Sequence, residues 1–419
     1  MKKVRSLLVL AALLLAGVGL AQTELSLWYH GAGNSAERDT LLMIIDDFNT
    51  SQSDYAVSLE EFPQESYNES IVAAALSGNL PDIIDVDGPV MPNWAWSGYM
   101  QPLNLSEGVL ENYLPGAVGE WDGEVYSVGL WDAAVAIYAR RSVLEENGIR
   151  IPTLEEPWTL EEFDAALETL QATGDYEYAF DPGMAWTGEW YPYAFSPFLQ
   201  SFGGDLVDRE TYLSAEGVLN GEEALEFGTW WQSLFERDLV PGTSQDSADR
   251  ETGFIDGRYA LQWNGNWAAL PALEEYGDDM LFLPAPDFGE GPVIGAASWQ
   301  FGVSADSENP EGANAFIEFA TQPKYLAAFS EATGLIPATP EAASMTDNYA
   351  DGGPLAVFFD LSNNQALIRP PTPGYVVAAL VFEKALADIA NGADVQDTLD
   401  AAVDEIEVDI ENNSGYGFQ

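Results

Sequence analysis

Residues 24–29 read Glu-Leu-Ser-Leu-Trp-Tyr, residues 55–62 read Tyr-Ala-Val-Ser-Leu-Glu-Glu-Phe, and residues 82–86 read Asp-Ile-Ile-Asp-Val. The first run alternates apolar and polar residues, the pattern of a half-buried strand. After it, Gly31-Ala32-Gly33-Asn34-Ser35 is a turn that starts a helix. Asn34 or Ser35 suits the N-cap, with Glu37 and Asp39 in the first turn. Leu41, Ile44, Ile45 and Phe48 then recur at helical spacing. A second helix is predicted over 67–76, before the loop Ser77-Gly78-Asn79-Leu80-Pro81 and the third strand. Strand, helix, strand, helix, strand is the order of a parallel sheet with crossover helices, so the fold class is α/β.

Working outward, Thr159 is predicted to cap a helix with Glu162 three residues on, a capping box. Helices are also predicted over 221–237, 310–321, 374–390 and 395–411, and strands over 258–263 and 296–304. The stretch 181–204 is rich in aromatic residues, Pro and Gly and has no clean period, so it reads as irregular. No short repeat and no linker-like stretch occurs.

The 419 residues exceed one ordinary core and suit two lobes. Lys2, Lys3 and Arg5 precede an apolar run from Leu7 to Leu20, and Gly19-Leu20-Ala21 offers a cleavage site. Residues 1–21 therefore read as a signal peptide cut near Ala21. Cysteine is absent, which excludes disulfides, thiolate metal sites and a lipid-attachment cysteine. A diffusible secreted protein needs a bounded compartment, so a periplasm is expected. Fourteen basic residues face 69 acidic ones, a net charge of −55. That surface repels nucleic acid and anionic membranes. The carboxylates recur along the whole chain, and self-repulsion that salt would screen points to a salty exterior.

Several segments together resemble a known family. They are Leu76-Ser77-Gly78-Asn79-Leu80-Pro81-Asp82-Ile83-Ile84, Asp122-Gly123-Glu124-Val125-Tyr126-Ser127-Val128, Leu144-Glu145-Glu146-Asn147-Gly148-Ile149, Trp158 to Phe163, Phe254 to Leu261, Leu283-Pro284-Ala285-Pro286, Gly295 to Trp299, and Asn309-Pro310-Glu311-Gly312-Ala313. The chain resembles the extracellular solute-binding proteins of ABC-type sugar importers, the maltose-binding-protein-like group. The resemblance implies a two-lobe periplasmic binding protein fold of type II, with a ligand cleft between lobes and a hinge of several crossings. Lobe one would hold 23–131 and 292–340, and lobe two 135–288 and 345–419. Crossings would fall near 131–134, 288–292 and 337–343. It also implies a sugar ligand, a permease partner, a monomer and no cofactor.

A sugar has an apolar C–H face and a rim of hydroxyls, so its pocket combines aromatic platforms with placed polar groups. The 13 Trp residues include several beside strand ends, where ligands of open α/β sheets sit. The resemblance puts Trp267 first among the platforms, with one of Trp186, Trp190 and Tyr191 beside it. Trp299 and Tyr375 follow. For Trp267 the alternative is core packing against the second lobe's sheet, and for Trp299 it is packing at the hinge. Among polar residues, Asp132 lies at the expected hinge, Asp87 and His30 follow strands, and Asn34 and Glu37 open a helix. Arg369 either pairs a carboxylate or donates to hydroxyls. Asp85 reads as structural. Val86 stands where the family often has an aromatic residue, and Trp94 or Trp96 would compensate.

Two other readings stay open. A secreted glycoside hydrolase needs two opposed carboxylates, but no eight-fold strand–helix pattern is present. The same fold could instead take a polyamine or another small solute. One His and no Cys disfavour zinc or a His-based triad. No phosphate-binding glycine motif or EF-hand loop occurs.

Overall fold

The computed structural model describes residues 22–296 and 299–418, and the signal-peptide reading of residues 1–21 lies outside them. Thr23–Tyr29 buries Leu25, Leu27 and Tyr29 on one face and pairs in parallel with both Tyr55–Glu61 and Ile83–Asp87. The intervening helices are Ser35–Ser51 and Gln64–Ser77. Asn34 caps the first by accepting the Glu37 N–H, and Gly78, at φ 66°, stops the second. Only glycine adopts that left-handed conformation without cost.

Among the described residues the sheet built on this unit has seven strands. Its order is Tyr55–Glu61, Thr23–Tyr29, Ile83–Asp87, Trp299–Ser304, Glu124–Val128, Val118–Trp121, with Met100–Gln101 also on Trp299–Ser304. Trp299–Ser304 is antiparallel to Ile83–Asp87 and sets Trp299 opposite Asp87. Val118–Trp121 and Glu124–Val128 form a hairpin turned by Asp122 and Gly123, both at positive φ. Asp-Gly is a favoured pair for such turns because both residues tolerate that region.

A second sheet runs Met280–Leu283, Val135–Arg140, Tyr259–Gly265, Tyr178–Asp181. Tyr259–Gly265 is buried along its whole length. Thr159 and Glu162 form the expected capping box ahead of helix Leu160–Thr173, and Glu222–Glu236, Tyr375–Ala390 and Val395–Asn412 form where the apolar spacing predicts.

Two expectations need correction. The stretch 181–204 is not irregular throughout: Trp190–Phe202 is a helix, and all 13 of its residues are buried. A helix enclosed on every side has no polar face and therefore no amphipathic period to read. The strand predicted over 296–304 is two strands in different sheets. Ile294–Ala296 pairs with Ala366–Ile368, whereas Trp299–Ser304 joins the large sheet. A second short ladder joins Trp131–Asp132 to Ile336–Pro337. Trp131–Asp132 and Ile294–Ala296 lie in the chain between strands of the two main sheets, whereas their partners Ile336–Pro337 and Ala366–Ile368 follow the last strand of both. Among the described residues no helix is long and apolar enough to cross a membrane.

Candidate functional site

The parallel strands Thr23–Tyr29 and Ile83–Asp87 end on the same edge of their sheet, so His30 and Asp87 emerge side by side. Trp299 begins the antiparallel strand at that edge. His30 is buried: its Nδ1 lies 2.5 Å from Asp85 Oδ2 and its backbone N–H donates to the same oxygen. Its ring stacks on Trp299 with centroids 3.8 Å apart and planes 7° from parallel. The buried carboxylate thus fixes a flat His–Trp surface. Burial raises the Asp85 carboxyl above its ordinary range, and His30 pulls it back.

Glu37 stands beside this surface with both oxygens engaged. Oε2 accepts from the Tyr29 hydroxyl at 2.6 Å and Oε1 from Asn34 Nδ2 at 2.7 Å. Burial raises its carboxyl also. Asn34 is the exposed N-cap of the helix.

The second sheet brings an aromatic group to its own strand ends. Trp267 follows Tyr259–Gly265 in a short 3-10 turn, and Trp186 and Trp190 follow the parallel strand Tyr178–Asp181. Trp186 meets Trp190 edge-on at 4.8 Å. Trp267 lies within 6.1–6.4 Å of Trp186, Trp190 and Tyr193. Trp186, Trp267 and Trp299 keep part of their surface accessible. Beneath them the fully buried Arg250 places its guanidinium 4.5 Å from the Trp186 ring, held by Asp181 at 2.9 Å.

Arg369 joins the two groups. Its Nη1 donates to Glu189 Oε1, which also accepts the Tyr375 hydroxyl. Its Nη2 reaches the Ala296 carbonyl at 3.3 Å, and its guanidinium lies 4.9 Å from the Tyr193 ring. Burial works against the Arg369 charge, yet Glu189, Tyr375 and Asp87 outweigh it and raise its pKa. Burial pushes the Glu189 carboxyl up to about 7 despite Arg369, with the negative charge of Asp87 adding to the rise. Asp87 is raised by burial as well, against the pull of Arg369 and His30.

The expected residues therefore divide. His30, Glu37, Asp87, Trp299, Arg369, Tyr375, Trp186, Trp190 and Trp267 form one continuous strip. Trp94 sits in a separate apolar cluster with Tyr67, Ile84, Val86 and Met91. Tyr191 packs edge-on against Phe195 at 5.0 Å, inside the second sheet's core. Asp132 is fully buried, accepting the Ala133 N–H at 2.9 Å and the Ser362 hydroxyl at 2.7 Å. Glu189, Tyr193 and Arg250 were not singled out from the sequence. A lone acid within the aromatic run Trp186 to Tyr193 was the available signal. A cavity of about 850 Å³ adjoins the strip at Gly88, Gln300 and Arg369 and is lined further by Tyr113, Trp121 and Phe418 among others.

Residues 43–356 match the family model described as bacterial extracellular solute-binding protein. The maltodextrin-binding protein of Bacillus subtilis is 25% identical over 305 residues, 70% of this chain and 67% of that one. The cyclic alpha-maltosyl-1,6-maltose binding protein of Arthrobacter globiformis superposes with a TM-score of 0.77 at 23% identity, covering 93% of this chain and 100% of that one. The GacH receptor of Streptomyces glaucescens, solved unliganded and with acarbose, gives 0.76 at 20% identity, covering 93% and 98%. These two structural likenesses show the shared two-lobe α/β fold. With its model matched over most of its length, the chain belongs to the bacterial extracellular solute-binding proteins.

Proposed function

We propose that the protein captures a carbohydrate between its lobes and delivers it to the permease of an ABC-type importer. The observation that carries this reading is the joining of partly accessible aromatic faces at Trp186, Trp267 and Trp299 to carboxylates at Asp87 and Glu189. An aromatic face takes the C–H side of a sugar ring, and charged acceptors take its hydroxyls. The similar proteins above are named for, or were solved with, carbohydrate ligands too.

In this reading His30, Asp87, Trp186, Trp190, Trp267, Trp299, Arg369 and Tyr375 line the ligand. Asn34 and Glu37 shape the edge and Asp132 braces the crossing. Lobe one comprises 23–131 and 292–340, and lobe two 135–288 and 345–419. The ladders Trp131–Asp132 with Ile336–Pro337 and Ile294–Ala296 with Ala366–Ile368 suit hinge strands. Ligand contacts to both lobes shift the population toward the closed form that the permease reads. The solute leaves unchanged, so the protein is not an enzyme. Residues 1–21 direct export, and the mature protein acts as a monomer in the periplasm.

The test is a thermal-shift screen of residues 22–419 against mono-, di- and trisaccharides and spermidine in about 1 M salt. A ligand at 100 times its Kd stabilises the fold by about 2.7 kcal/mol. We expect a selective rise with a sugar, which is recovered intact. A rise with spermidine alone overturns the substrate class, and hydrolysis of the sugar overturns the binding reading.

A further inference from the structure

We infer that residues 414–418 form an aromatic strap that fastens lobe two to lobe one across the seam between them and holds part of the protein closed. The inference rests on the two-lobe reading above and deepens it.

The strap begins where helix Val395–Asn412 ends. That helix packs on Glu222–Glu236 and Tyr375–Ala390, which in turn cover Trp190–Phe202, so the strap is rooted in lobe two. Phe418 also lies 5.1 Å from the Tyr212 ring of the same lobe. Two of its rings reach the other lobe. Tyr416 meets Trp96 edge-on with centroids 4.9 Å apart, and Phe418 meets Trp121 edge-on at 5.4 Å. Trp121 ends a strand of the seven-stranded sheet, and Trp96 ends the helix Met91–Trp96 packed on that sheet. Nearby, Asn93 Nδ2 of that helix donates to the Pro373 carbonyl at 2.9 Å, a third contact between the same two bodies. Phe418, Tyr212 and Arg369 from lobe two and Trp121, Met91 and Gly88 from lobe one line one cavity, so the strap crosses an open seam and not a packed core.

The backbone of the strap fixes how these rings are presented. Ser414, Gly415, Tyr416 and Gly417 all have φ between 54° and 90°. Glycine accepts that region freely, whereas Ser and Tyr hold it only where their surroundings determine it. Here the Tyr416 hydroxyl donates to Asp409 Oδ2 at 2.6 Å and accepts from Asn413 Nδ2 at 2.9 Å, and the ring is buried. The Phe418 N–H returns to the Gly415 carbonyl at 2.9 Å. A turn fixed in this way leaves little ordering to be done when the rings meet lobe one. The contacts are made by the protein's own side chains, so they act with or without a solute. Separating the lobes breaks both ring pairs and returns their apolar faces to water, which shifts the population toward the closed form.

The chain has no cysteine, so two introduced ones carry spin labels alone. Ala73→Cys, exposed on helix Gln64–Ser77, and Ala165→Cys, exposed on helix Leu160–Thr173, report the distance between lobes by pulsed electron resonance. We expect the solute-free protein to show a shorter, closed distance beside a longer, open one. Tyr416→Ala with Phe418→Ala should lower the closed-to-open ratio about fivefold or more. Trp96→Ala with Trp121→Ala should lower it equally, and all four changes together no further, because each pair removes the same contacts. Either pair serves alone if the other loses its cooperative melt. If neither pair changes the ratio, or if their losses add, the strap is overturned and the two-lobe reading stands. The same follows if the wild type shows the long distance alone until a sugar is added. If one distance persists in the wild type, in every variant and with each mono-, di- and trisaccharide, both readings fall.

Discussion

Trp267 stands directly after a fully buried strand, with Trp186, Trp190 and Tyr193 around it at 6.1–6.4 Å and part of its ring accessible. Its neighbours hold the ring orientation, so little ordering remains to be done when a sugar arrives. Trp267→Ala should weaken sugar binding by about 2 kcal/mol, roughly thirtyfold in Kd, measured by titration calorimetry. Glu189 makes a different prediction. Its carboxyl rises from 4.5 to about 7 in the folded protein, so between those values the folded chain binds a proton that the unfolded chain does not. Stability should therefore fall as pH rises from 4.5 toward 7 and level off above. Arg369, Tyr375 and Asp87 are the charged and titratable groups that face it. Asp85, Asp87 and Glu37 are raised in the same direction, so the wild-type slope has several sources. The difference in melting temperature between wild type and Glu189→Gln across that range isolates its share. A difference that does not vary with pH would remove Glu189 as a source. His30 and Asp87 were legible in the sequence because each follows a predicted strand, whereas Trp299 came from the family resemblance, since the predicted strand 296–304 ran through it. Tyr193 was not legible, since nothing local tells it apart from the other aromatic residues of a buried helix.

At the scale of elements, the helix beginning at Leu160 shows how much a local signal can carry. The Thr159 hydroxyl accepts the Glu162 N–H at 3.3 Å, and Glu162 Oε2 accepts the Thr159 N–H at 3.1 Å. Thr159→Ala should cost about 1 kcal/mol in denaturant unfolding, with Thr159→Ser close to wild type. Equal losses in both variants would mean that the methyl packing, not the cap, matters. The helix Trp190–Phe202 is the opposite case. It carries Pro197 in its interior and no polar face, so neither propensity nor period announced it. Burial against Glu222–Glu236 and Tyr375–Ala390, elements far along the chain, stabilises it instead. The split of 296–304 into two strands has a similar origin. Both pieces are apolar and extended, and only their partners, Ala366–Ile368 and Ile83–Asp87, assign them to different sheets.

Across the whole molecule the charge of −55 is the dominant long-range force. At about 0.1 M salt the screening length is roughly 10 Å, and near 1 M it is roughly 3 Å. Repulsion among surface carboxylates should therefore weaken steeply, and the melting temperature should rise between those conditions. A flat or falling melting temperature would mean that the acidic surface costs the fold little. The sequence by itself determined the α/β class, the order of the first three strands, the helix caps and the family, because these rest on spacing within a few residues or on short segments in order. The tertiary structure alone decided which carboxylates share Arg369, why Trp94 sits in a core rather than in the strip, and where an aromatic run becomes a helix. Arg369 and Glu189 are 180 residues apart, and no local period encodes such a pairing. It exists because burying a charge without a partner is unfavourable, and which charges are buried together depends on how distant segments pack.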